Sequence, residues 1–216
     1  MVGRLSVKTK TSVRLRWINA AMAGLWLGFL IPTAATAGAP TEQIQGAVEK
    51  VVATLKDPAL KSNKKERLEQ LRQVIYPKFD FAEMAKRSLG SHWQKRSAGE
   101  QREFVKLFTE LIENAYLDNL EAYEGEKVTI TGEKQDKEYA EVNSKVATKK
   151  GEEFAINYKL HQAGSDWKVY DVVIENVSLV NNYRSQFNRV IAQSSFEDLF
   201  RKMKDKQFEA AGKKRT

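Results

Sequence analysis

Asp166-Trp-Lys-Val-Tyr-Asp-Val-Val-Ile-Glu-Asn-Val-Ser-Leu-Val-Asn-Asn-Tyr-Arg-Ser-Gln-Phe187 is the stretch on which the fold of this chain turns. Trp167 to Val177 is rich in β-branched and aromatic residues and contains neither Pro nor Gly, the composition of a long strand. The period then changes. Leu179, Val180, Tyr183, Phe187, Val190 and Ile191 recur at three- and four-residue spacings, as on one face of a helix. Ser178 stands at the switch, where its hydroxyl can accept from the first free amides of that helix. A strand running straight into an amphipathic helix predicts a sheet and a helical layer packed on one another.

The charge of the chain is unevenly placed. Of a formal net charge of +8 over 216 residues, five positive charges (Arg4, Lys8, Lys10, Arg14 and Arg16) lie in residues 1–37, which hold no acid. Lys213, Lys214 and Arg215 account for the other three, so the region between is close to neutral. Lysines and acids are interleaved through it, which argues against a nucleic-acid surface. The opening segment has a basic stretch ending at Arg16, an apolar run from Trp17 to Ile31, and small residues at Ala35-Thr36-Ala37. That order is the build of a secretory signal peptide cleaved near Ala37. The apolar run is short for a spanning helix, which needs about twenty residues. With no cysteine in the chain, neither a disulfide nor a cysteine-linked lipid is available, and the exported domain over 38–216 must rely on its core.

Helical patterns come first. Ile44, Val48, Val51, Val52 and Leu55 mark an amphipathic helix ended by Asp57-Pro58. Asn63 with Glu66 opens a second helix with Leu68, Leu71 and Ile75 on its face, stopped at Pro77. Asp80 with Glu83 opens a third, ending at Gly90, with Phe79 placed to staple onto Met84. Ser97 with Glu100 begins the longest, to about Tyr123, whose apolar residues cover more than half its circumference; such a helix is central and touched on two sides. Four strands follow at about 127–132, 138–149, 152–161 and 166–177, with short joins that favour an antiparallel meander. In the third, Phe154, Ile156, Tyr158 and Leu160 alternate with Ala155, Asn157, Lys159 and His161, giving a dry face and a wet one. Ser194 and Glu197 are placed to cap a final helix carrying Phe196, Leu199, Phe200 and Met203, and the basic tail from Lys204 is expected to fray. The order of elements gives an α+β domain with a curved four-stranded antiparallel sheet wrapped against helices.

Signals for catalysis are poor. His92 and His161 fall in different elements without ligand spacing, and no Gly-rich phosphate loop or nucleophile elbow occurs, so no enzyme and no metal site is expected. Asp171 and Glu175 stand four apart on the expected strand and share a face there; acid/base work is possible in principle, but pairing with nearby cations or water is the plainer reading. Arg184 could meet a phosphate or pair with Asp171 or Glu175 at the strand-to-helix corner.

Trp167, Val169, Asp171, Val172, Glu175, Val177, Ser178, Leu179, Val180, Tyr183, Arg184, Gln186 and Phe187 together resemble the hallmark of the MlaC, or toluene-tolerance, family of periplasmic phospholipid carriers. Phe79-Asp80-Phe81-x-x-Met84-Ala85 and Leu89-Gly90-x-x-Trp93 are similar to the same family, and the resemblance spans roughly residues 42–205. Asn176 departs from the usual Gly, but Asn tolerates the left-handed backbone best among the other residues. The resemblance implies an NTF2-like cone in which sheet and helices enclose an apolar pocket for acyl chains. On the residues alone, an ordinary packed core accounts for the same side chains. The pocket it implies is lined by Phe104, Phe108, Leu111 and Ile112 on the long helix, and by Val142, Val146, Phe154, Ile156, Tyr158 and Leu160 on the sheet. Val172, Ile174, Leu179 and Tyr183 close the side formed by the quoted stretch. It further implies a monomeric periplasmic protein with no cofactor, phospholipid as cargo, and partners at both ends: an outer-membrane lipoprotein–porin complex and the substrate-binding subunit of an inner-membrane ABC transporter. A small NTF2-like enzyme and a periplasmic chaperone or lipoprotein carrier are the alternatives.

Overall fold

Residues 39–208, apart from Ala122, are described by the computed structural model; the leader assigned to residues 1–37 and the tail beyond residue 208 lie outside the described residues. Glu175 and Asn176 adopt φ values of 47° and 65°. Two successive left-handed residues form the tight turn whose twist suits a two-residue hairpin, and Ile174 pairs with Val177 across it. The expected strand 166–177 is therefore corrected to two pieces, β4 (Asp166–Ile174) and the two-residue β5 (Val177–Ser178). Helix α6 (Leu179–Gln193) leaves directly from β5, and the Asn181 amide donates to Ser178 Oγ at 3.0 Å.

The sheet is an antiparallel meander in the order β1-β2-β3-β4-β5, with β1 (Lys127–Asp136), β2 (Tyr139–Ala147) and β3 (Glu153–Ala163) preceding β4. Its ladders slip at two places, between Ile130 and Gly132 of β1 and opposite the Lys159–Leu160 step of β3, where Tyr170 is the extra residue of β4. Each extra residue bends its strand and raises the local twist, so the sheet curls. The dry-and-wet alternation expected of β3 is only partly seen. Leu160 is buried, but Phe154, Ile156 and Tyr158 remain half-buried because the space they face is not filled by protein.

Among the described residues seven α-helices flank the sheet. α1 (Ala39–Lys56), α2 (Pro58–Lys61) and α3 (Lys64–Ile75) form one arm. A 3₁₀ turn at Tyr76–Lys78 then leads to α4 (Phe81–Leu89). Asp80 caps α4 by accepting from the Glu83 amide at 2.8 Å, and its second oxygen lies 3.0 Å from His161 Nε2. The Asp80 amide donates to the Val169 carbonyl at 2.8 Å, so the segment ahead of α4 is stitched to β4. At the far end Gly90 takes φ 57° with ψ −130°, a backbone region that a residue without Cβ reaches readily. α5 (Ala98–Glu121) opens on a complete capping box between Ser97 and Glu100. α7 (Phe196–Lys204) is capped by Ser195 rather than Ser194, through the Asp198 amide at 3.1 Å. Past α7, Lys206 donates to Asn114 at 3.1 Å and Phe208 lies edge-on to Phe187 at 5.1 Å.

Two apolar clusters result. One joins α4, α5, α6 and α7 around interlocked Phe104, Phe108, Tyr183 and Phe187. The other lies on the concave face of the sheet and takes in Ile44 of α1. α5 is touched on two sides, by the helical cluster and by the open space next to the sheet.

Candidate functional site

Between the concave sheet, α5 and the arm made by α1 and α3 lies a cavity of about 600 Å³. α1 gives it Ile44, Val48, Val51, Val52 and Leu55; α5 gives Ile112, Ala115 and Tyr116; the sheet gives Val146, Phe154, Ile156, Tyr158, Val172 and Ile174. Phe79 and Phe81, stacked on one another at 5.6 Å, form part of the wall where the chain enters α4. This is not a packing defect. At about 24 cal/mol per Å³, a dry void of this size in a core would cost roughly 14 kcal/mol, the whole stability of a typical domain.

Of the residues expected to line a pocket, Ile112, Val146, Phe154, Ile156, Tyr158, Val172, Ile174 and Leu179 reach the cavity. Phe104, Phe108, Leu111 and Tyr183 do not: α5 turns that side toward α6 and α7, and they fill the helical cluster. Val142 and Leu160 sit fully buried in the sheet cluster, on the inner face but away from the cavity wall. The contribution of α1 was missed. Its apolar face was legible, but nothing in the period of a helix tells a face that meets protein from one that meets a void.

The charged residues in the lining are Arg72, Lys78, Glu113 and Glu126. Glu113 on α5 accepts from Arg72 Nε at 2.8 Å and also from the Arg72 Nη2 group, while the Tyr76 hydroxyl donates to its other oxygen at 2.5 Å. Burial alone would push the Glu113 carboxyl up, but these hydrogen bonds outweigh it and hold the group below the usual carboxylate range. Burial and the bond to Glu113 push Tyr76 up to about 12. Arg72, bonded to Glu113, is raised. Tyr158 on the sheet is likewise raised by burial, with Ser144 beside it. Glu113, Tyr76, Arg72 and Tyr158 thus hold their ordinary charge states at neutral pH.

The polar residues singled out from the sequence have structural partners. Asp171, 5% exposed, accepts from Ser178 Oγ at 2.6 Å and from the Val180 amide at 3.1 Å. Glu175 lies in the hairpin turn and accepts from the Ala155 amide at 2.6 Å, so the two acids do not form a pair. The pairing expected for Arg184 is corrected too: its Nε donates to the Arg87 carbonyl at 2.8 Å, at the end of α4. Neither His92 nor His161 lines the cavity. Among the described residues no group of three or more His, Asp or Glu could hold a metal ion.

The geometry has counterparts in known proteins. A family model described as MlaC protein matches residues 45–205. The chain is 26% identical over 138 residues to the intermembrane phospholipid transport system binding protein MlaC of Haemophilus influenzae. That match covers 62% of this chain and 64%, just under two thirds, of the relative. To the toluene tolerance protein of Pseudomonas putida it is 24% identical over 152 residues, covering 68% of this chain and 71% of that protein. The solved phospholipid-binding protein from Ralstonia solanacearum, in complex with a phospholipid, matches with a TM-score of 0.71 at 27% identity, covering 79% of this chain and 97% of that one.

Proposed function

Because the chain belongs to the MlaC family, we propose that it is an exported phospholipid carrier, holding acyl chains in the cavity while it crosses the periplasm. The observation that carries this reading is the cavity itself: about 600 Å³, walled almost wholly by apolar side chains, between a curled sheet and helices. A relative of the same fold was solved with a phospholipid bound, which supports the same ligand class here. The physical need is plain. Some thirty methylenes in two acyl chains, at about 0.8 kcal/mol each, make a lone phospholipid in water costly by roughly 24 kcal/mol. A carrier must cover most of that surface and still give it up. Transfer then follows differences in affinity between the carrier and its docking partners. We assign those partners as an outer-membrane lipoprotein–porin complex at one end and the substrate-binding subunit of an inner-membrane ABC transporter at the other. Shuttling of this kind would maintain the lipid asymmetry of the outer membrane. No step in this cycle asks for a catalytic group, and the cavity offers no carboxylate–histidine pair to supply one.

Ile156→Glu tests the reading. Ile156 is half-buried and faces the cavity, so the folded protein can hold the carboxylate in water when empty. Acyl chains entering beside it would strip that water away, at a cost of several kcal/mol. Uptake of phospholipid from vesicles should fall at least about tenfold, with the melting transition preserved. Full uptake by a folded Ile156→Glu protein would overturn the assignment.

A further inference from the structure

Three of the four charged residues that line the cavity already have partners. Arg72 and Glu113 are bonded to one another, and Glu126 accepts from the Glu124 and Gly125 amides at 2.9 and 3.2 Å. Lys78 is the fourth. Among the described residues its ammonium has neither an ion-pair nor a hydrogen-bond partner. The backbone that carries it is fixed on both sides. Ahead of it Lys168 of β4 donates to the Pro77 carbonyl, and after it the Asp80 amide donates to the Val169 carbonyl at 2.8 Å. Lys78 is half-buried. A lysine so placed lays its methylenes on apolar surface and keeps its charge at the wet end.

Lys78 also lines a second hollow, between α1 and the end of α3, and Ala47 is the other residue common to both spaces. Glu42, Gln43 and Lys50 of α1 and Gln73 of α3 make that hollow richer in polar groups than the cavity. Gly46 lies in its wall, where an added Cβ would meet nothing within 4 Å, so the space is open there. Glu42 stands against Lys50 and Lys78, which leaves the lining with positive charge in excess. Lys78 thus marks the place where an apolar space adjoins a cationic one.

Building on the carrier reading, we propose that Lys78 is the counter-charge of the cargo. Its ammonium holds the phosphodiester of a phospholipid whose acyl chains lie in the cavity, and the hollow between α1 and α3 receives the rest of the headgroup. An ammonium is a compact point charge on a flexible stem, so it holds a phosphate without dictating what that phosphate is esterified to. The site asks for a negative charge beside the chains, not for one particular headgroup. Water and salt weaken a contact of this exposure, which leaves the lipid free to depart.

The test measures binding of two short-chain lipids that stay monomeric in water, dioctanoyl phosphatidylglycerol and dioctanoylglycerol, which share their chains and differ in the phosphate. Lys78→Met keeps the length of the side chain and removes its charge. It should weaken phosphatidylglycerol binding about fivefold or more, the scale of one charge-assisted hydrogen bond at a half-exposed site. Dioctanoylglycerol should bind within about twofold of wild type, and Lys78→Arg should restore most of the phosphatidylglycerol affinity. Lys78→Gln should behave as Lys78→Met and serves if that protein folds poorly. Millimolar inorganic phosphate should not displace the phospholipid, because one such contact without chains in the cavity holds an anion only weakly. Unchanged phosphatidylglycerol affinity in both uncharged variants, an equal loss of both lipids, or displacement by inorganic phosphate would overturn the proposal and leave the carrier reading standing. A wild-type protein that binds neither lipid would overturn the carrier reading itself.

Discussion

At the junction of β4 and α6, the Asp171 carboxylate accepts from the Ser178 hydroxyl and the Val180 amide while only 5% exposed. Ser178 in turn accepts from Asn181, so two side chains satisfy the free amides of one helix start. This reassigns a residue that the sequence leaves open to acid/base chemistry. Asp171→Ala would leave a buried amide and a hydroxyl without their acceptor, each worth about 1–3 kcal/mol. Urea unfolding should show a loss of roughly 2–4 kcal/mol with an unchanged slope. A loss below about half a kcal/mol, the size of an ordinary surface change, would contradict the capping role.

At the scale of elements, α5 divides its apolar surface between two neighbours, and the division decides what a substitution does. Leu111 is 5% exposed in the helical cluster. Leu111→Trp should therefore cost about 1–3 kcal/mol by overpacking, with lipid uptake per folded molecule intact. Val52 on α1 faces the cavity and is half-buried. Val52→Trp should instead occupy lipid space, lowering uptake with little change in melting temperature. Measuring both quantities for both variants separates core from cavity, and the reverse pattern would move the cavity elsewhere. Caps, turns and strand order could be read from single residues, because Asn63, Asp80, Ser97 and Asn176 act on atoms within a few positions of themselves. The cavity could be read only in part. Apolar period reports that a face is covered, and a void between two covered faces leaves no local mark. Hence Phe104 and Phe108, in the core, and Ile112, on the wall, look alike in the sequence. The left-handed position at Asn176 could be read, but the strand end at Ile174 could not, because Glu175 beside it carries no such signal and a β-branched residue, Val177, follows the turn.

Across the whole molecule, the described residues hold no helix long and apolar enough to cross a membrane. The large apolar surface is turned inward, onto a space that protein does not fill. Charge is concentrated at the two ends of the sequence and nearly balanced between them. The inward apolar surface and the nearly balanced charge between the ends are what the proposed carrier role asks for. The account stands or falls on whether the lipid cargo is present. The most direct measurement is native mass spectrometry of the protein, expressed from its full sequence in a bacterium with two membranes and recovered from the periplasmic fraction. It should show a chain beginning near Gly38 that carries phospholipid released on activation. A chain that repeatedly arrives without lipid after gentle recovery, or that keeps Met1 and stays in the membrane, would contradict it.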